Sequence, residues 1–183
     1  MAKRRFGPDA GEPWNRYLAW SGLRQLRELV TLDNILCPTV PEELVAEDWQ
    51  HNVHADYQTH HFRSLDYLRR RVAGETGVHI LAALRDPTPA TVEAGVEGFA
   101  FMGFDLVDQT VDVSALTGCG GWEGVFTGEE LSPFGLLADL ERANAVREAL
   151  RAGFPGEHHA QCDVWAIWSL TARPRRRGAV RAS

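Results

Sequence analysis

Four of the chain's seven histidines fall between residues 51 and 61. They lie in the polar stretch Glu47-Asp48-Trp49-Gln50-His51-Asn52-Val53-His54-Ala55-Asp56-Tyr57-Gln58-Thr59-His60-His61-Phe62. A neutral imidazole nitrogen is a good ligand for zinc or iron, so the spacing of these rings is the first chemical question. Read as one helix over residues 44–73, at about 100° per residue, His51, His54 and His61 share a face with Leu65, Leu68 and Val72. Asp56 and His60 then point the opposite way. Three imidazoles on one face can hold a metal, but His-x-x-His alone is a weak signature and no H-E-x-x-H accompanies it. The competing reading is a set of half-buried, hydrogen-bonded histidines.

The second chemical candidate is Cys119, set in Gly118-Cys119-Gly120-Gly121. Three glycines open backbone conformations closed to other residues, which serves a tight corner or exposes a thiol. A nucleophilic cysteine needs a thiolate and therefore a base. His158, His159 or one of the histidines at 51–61 can supply it. No local cysteine-hydrolase signature is present, and the loop lacks the Gly-Lys-Ser/Thr ending of a phosphate loop. The plainer reading is a small residue buried in a turn.

A third feature is electrostatic. Glu42, Glu43, Glu47 and Asp48 gather before Trp49, a combination in which charges steer a partner and a large aromatic anchors it. Alternatively, these acids favour the N-terminal dipole of a solvated helix. The wider charge pattern supports the first idea. Of 19 lysines and arginines, three lie in residues 1–5 and five in residues 172–183, and neither segment holds an acid. Residues 6–171 therefore carry 25 acids against 11 bases, a net of −14. Such a body repels phosphate, which argues against nucleic-acid binding through the folded part and for a basic protein partner.

The elements that must position these groups follow from periodicity. Ala19, Leu23, Leu26 and Val30 recur at helical spacing, predicting a helix from Trp14 to Val30. Val78–Leu84 and Cys162–Leu170 read as strands. Residues 98–106 and 111–116 read as an antiparallel hairpin inside the sheet, with Phe101 in the core and a bulge or close backbone approach at Gly98 or Gly103. Ser132-Pro133 is the expected start of a helix carrying Leu136, Leu140, Ala143, Val146 and Leu150. The sum is an α+β fold: a mostly antiparallel sheet of three to five strands with about three helices packed on it.

The predicted organisation is a loose basic arm over residues 1–13, one domain over 14–171 and a disordered Arg-rich tail over 172–183. A chain of 183 residues buries roughly 70% of its unfolded surface, enough for one real core. No apolar run approaches the ~20 residues of a membrane span, and no secretory signal core follows the basic start. Three widely spaced cysteines, Cys37, Cys119 and Cys162, then fit free thiols in a cytoplasm.

Three fragments, G-F-D-L-V-D, S-A-L-T-G-C-G-G-W and F-G-L-L-A-D, resemble a group of small uncharacterised bacterial proteins, some of the immunity or accessory type. The resemblance covers about residues 97–139, implies a bacterial cytoplasmic setting, and brings no catalytic residue set. The sequence thus leads to two expectations. The first is an acidic binding protein, of the kind that neutralises a basic, nuclease-like toxin. The second is a small enzyme using a histidine-bound metal or Cys119.

Overall fold

A computed structural model describes residues 1–40, 53–56, 59–108, 113–118 and 124–171. Its centre is a four-stranded antiparallel sheet in the order β1 (Ala2–Arg4), β4 (Val78–Arg85), β6 (Cys162–Leu170), β5 (Phe99–Asp108). A separate two-stranded hairpin joins β2 (Val53–Asp56) to β3 (Thr59–Phe62). Among the described residues the α-helices are α1 (Glu12–Ser21), α2 (Leu65–Arg71), α3 (Pro89–Ala94) and α4 (Leu140–Gly153). The α+β expectation is met, as are the strands at 78–84 and 162–170.

β6 shows why the sheet sits at the centre. Val164, Ala166 and Trp168 alternate with Trp165 and Ile167, and both sets are covered, as befits a central strand. The first set packs with Phe104, Leu106 and the α4 residues Ala143, Val146 and Leu150. The second packs with Leu81, Val107, Val30, Leu32 and Leu136. One face is therefore covered by helix, and the other by irregular chain.

Several expectations are corrected. Residues 1–13 are not a loose arm. Ala2–Arg4 pair with Val78–Ile80, Lys3 is buried, and Arg4 N donates to Pro38 O at 2.9 Å. The basic start therefore belongs to the body, whose acid excess over residues 1–171 becomes 25 against 14, a net of −11. The first helix stops at Ser21 because Gly22 takes the left-handed conformation (φ 72°) that caps helices. Leu23, Leu26 and Val30 reach the core from irregular chain instead.

Of the predicted 98–106/111–116 hairpin, the described residues keep a short antiparallel end. β5 pairs along its length with β6, while residues 113–118 return against β5 through a bridge between Val107 and Ser114, with Asp108 N donating to Val113 O at 3.0 Å and Ala115 N to Leu106 O at 2.8 Å. The last helix begins eight residues after Ser132. Ser132–Leu137 instead turns through Gly135 (φ 80°) and exchanges hydrogen bonds with Phe104, so Asp139 is the N-cap and accepts from Arg142 N at 2.7 Å. No helix among the described residues is long and apolar enough to cross a membrane.

Candidate functional site

The single helix expected over residues 44–73 is broken by strand. Residues 53–56 and 59–62 are extended, and helix occupies only Leu65–Arg71, where Ser64 accepts from Tyr67 N. The face shared by His51, His54 and His61 therefore does not exist as a helical face. In its place the hairpin register sets His54 opposite His61, and His60 opposite Ala55. The β-branched Val53 and Thr59 and the aromatic Phe62 suit strands better than a helix. His51 lies outside the described residues, as do Glu42, Glu43, Glu47, Asp48, Trp49 and Cys119. Among the described residues no group of three or more His, Cys, Asp or Glu is placed to hold a metal ion.

His158 and His159 sit in a short 3-10 turn, His158–Gln161, just before β6. Cys162, at the start of that strand, and Cys37 are both buried. Burial pushes each thiol up to about 12, so neither is a thiolate at neutral pH. Gly118, read as part of an opened loop, has a packing role. A Cβ there would lie 2.4 Å from Asp33 Oδ2 and 2.9 Å from Ser114 O.

The contact at Gly118 belongs to a buried polar knot. Asp105, from G-F-D-L-V-D, is fully buried. Its Oδ2 accepts from Thr31 Oγ1 at 2.6 Å and Leu32 N at 3.1 Å, and its Oδ1 accepts from Ser114 Oγ at 2.6 Å and Leu106 N at 2.9 Å. Asp33 Oδ2 accepts from Ser114 N at 3.0 Å, and its Oδ1 from Ile35 N and Leu36 N. Burial raises the Asp105 carboxyl above its ordinary range, opposed by the Ser114, Thr31 and Leu32 donors. A raised carboxyl is a common mark of catalytic acids, but this one is sealed. Thr31, Asp33, Asp105 and Ser114 are all buried, and every carboxylate oxygen just named is held by donors of the chain itself. The knot ties residues 31–36 and 113–117 to β5, a structural task.

An accessible concavity lies elsewhere. A groove of about 740 Å³ runs between α3, β5 and the start of α4. Its apolar surface comes from Val92, Phe101, Phe104 and Leu140, and its acids are Glu93, Asp139 and Glu141. No lysine or arginine lines it. Each wall has a local cause. α3 exists because Thr88 and Thr91 form a reciprocal capping box with Pro89 in the first turn. The segment Pro87-Thr88-Pro89 thus starts a short helix, and a Thr before a first-turn Pro is its sequence signal. Phe101 is in the groove because β5 slips register between Phe101 and Gly103. It is 40% exposed, which corrects its expected place in the core. Glu93, Asp139 and Glu141 are exposed, and Asp139 is committed to capping α4. Neither Glu93 nor Glu141 has an ion-pair partner among the described residues.

This arrangement offers an aromatic-aliphatic seat beside uncompensated negative charge. It suits an apolar side chain flanked by cations and contains no nucleophile–base pair. No family model, curated protein or solved structure matches the chain.

Proposed function

We propose that this protein is a non-enzymatic, acidic binding protein that captures a basic protein partner, as an immunity-type protein does with a nuclease-like toxin. The observation that carries the reading is the acid excess of residues 1–171, a net of −11 with the basic start counted in. Charge of this sign accelerates encounter with a basic surface and disfavours nucleic acid. The aromatic seat among acids supports it further. Glu42, Glu43, Glu47, Asp48 and Trp49, outside the described residues, remain proposed contributors to partner binding.

The test is capture on the immobilised protein from an extract of the native host at low ionic strength. The expected catch is a basic protein whose association slows as salt screens exposed charges over ~8 Å, and more slowly still with Glu47→Lys and Asp48→Lys together. If that protein is a nuclease, adding this chain should abolish its activity in stoichiometric amount. Capture that ignores salt, or recovery of no basic protein, removes the reading.

The competing enzyme reading now rests on the opposed positions of His54 and His61 in the hairpin. Metal analysis of untagged protein decides it. A transition metal retained by the wild type and lost in both His54→Ala and His61→Ala favours a zinc or iron site over the binding protein.

A further inference from the structure

We infer that the groove between α3, β5 and α4 is the docking seat for a basic segment of the partner, with one apolar side chain set against Phe101 and cations on Glu93 and Glu141. This rests on the acidic binding reading and gives it a location and a recognition chemistry. Charge complementarity argues for the occupant. The groove holds three acids and no base, and Glu93 and Glu141 carry charges that no described residue neutralises. Asp139 is already spent on Arg142 N as the cap of α4, whereas Glu93 and Glu141, the latter in the first turn of that helix, hold no such bond, so Glu93 and Glu141 are the ones that read the cation.

The apolar part is equally specific. Phe101 is one of the large hydrophobics left exposed, and it is held rather than splayed. Its ring meets Phe104 at 5.1 Å and Trp168 at 5.5 Å, centroid to centroid. Val92 and Leu140 stand half-buried beside it. A preordered aromatic with aliphatic walls loses little side-chain entropy when an apolar side chain covers it. A rim of charge around such a seat is how interfaces combine an anchor with steering. An acidic partner would be repelled, and a purely apolar one would leave the glutamates desolvated and unpaired.

The experiment uses the full chain and a short fluorescein-labelled peptide of arginines and alanines around one central leucine, followed by anisotropy at low salt. Replacing the leucine by serine should weaken binding about ten-fold, as should Phe101→Ser in the protein. Glu93→Lys with Glu141→Lys should weaken it at least as much. Asp9→Lys with Glu157→Lys makes the same change in net charge at two exposed acids outside the groove, and should weaken it far less. Equal loss from both pairs means that charge attracts without a seat, which overturns the groove and leaves the acidic binder standing. A wild-type chain that captures its basic partner but not this peptide also overturns the groove. Failure of both captures removes both readings. Two other occupants are distinguishable. A dimer that Phe101→Ser splits assigns the groove to a second copy. A ten-fold gain in peptide affinity when Arg173, Arg175, Arg176, Arg177 and Arg181 are changed to serine assigns it to the chain's own tail. Either result overturns the proposal.

Discussion

Phe101 and Phe104 stand three residues apart on one strand and yet on the same face of the sheet, their ring centroids 5.1 Å apart at an interplanar angle of 65°. In a regular strand residues i and i+3 point to opposite faces. The register slip between Phe101 and Gly103 inserts Met102 as an extra residue. Phe101 then opposes Trp168 and Phe104 opposes Ala166, two positions on one side of β6. The bulge thereby moves an aromatic from one side of the sheet to the other. The two rings differ in burial, at 40% and 2% exposed. We expect Phe104→Ala to cost ~3–5 kcal/mol, the range for a core aromatic, and Phe101→Ala about 1–2 kcal/mol, since it removes only part of that burial. Urea denaturation of the two variants measures both, and equal losses would contradict the assigned faces.

Gly103 makes that bulge possible. Its φ is 139°, and a Cβ there would lie 2.7 Å from Leu137 O and 2.8 Å from Leu136 Cβ. Backbone cannot yield as a flexible side chain can, because Leu137 exchanges hydrogen bonds with Phe104. Gly103→Ala should therefore cost about 2–4 kcal/mol through strain and overpacking. A fall in stability too small to measure would mean that β5 runs without the bulge.

Asp105 is expected to matter as an acceptor. Asp105→Ala leaves Thr31, Ser114 and the Leu32 amide without it, which should cost about 3 kcal/mol or more. Asp105→Asn should recover little, because its amide group must face either Leu32 N–H or Leu106 N–H, both donors. Chemical denaturation at neutral pH compares the two. A silent Asn variant would show that the carboxyl works as a protonated donor instead.

The cluster of Arg5, Glu28 and His79 beside β4 predicts a pH response. Arg5 binds Glu28 through both oxygens, and His79 Nε2 lies 3.2 Å from Glu28 Oε1. Burial opposes ionisation of Glu28, but the Arg5 hydrogen bond and the charges of His79 and Arg5 hold it below the ordinary value of 4.5. Burial, opposed by Glu28, lowers His79 below 6.5. In both cases the unfolded chain binds the proton more readily. Stability is therefore present at higher pH and is lost as pH falls, through His79 below 6.5 and through Glu28 below 4.5. Thermal melts of wild type and His79→Gln should diverge between neutrality and the carboxylate range, with the variant flatter. Parallel curves would show that His79 is not linked to folding.

The fold class was legible in the sequence where the physics is local. Val78–Leu84 and Cys162–Leu170 are rich in apolar, β-branched or aromatic residues, and their hydrophobic pattern needs no knowledge of partners to read as strand. Glycine inside F-A-F-M-G-F likewise announced a bulge or close approach, and Gly103 is both. Helix ends were less legible, because a stripe such as Ala19-Leu23-Leu26-Val30 says which residues are buried and not what backbone carries them. Gly22 ended that helix, and its apolar followers reached the core as irregular chain.

What the sequence determined by itself is the amount and kind of material: an α+β core, a body with excess acid, and glycine where the chain must bend or approach closely. Tertiary structure alone decided which strands meet. β5 chose β6, more than fifty residues away, over the residues that follow it, because β6 offers a long apolar ladder on both faces and residues 113–118 instead wrap Asp105. Residues 2–4 became a strand because β4 and residues 38–40 bury them from both sides. The groove belongs to the same class of fact. Val92, Glu93, Phe101, Leu140 and Glu141 come from three elements, none with a distinctive motif, and only the long-range pairing of the sheet and the packing of α4 upon it bring their apolar surface and charges together.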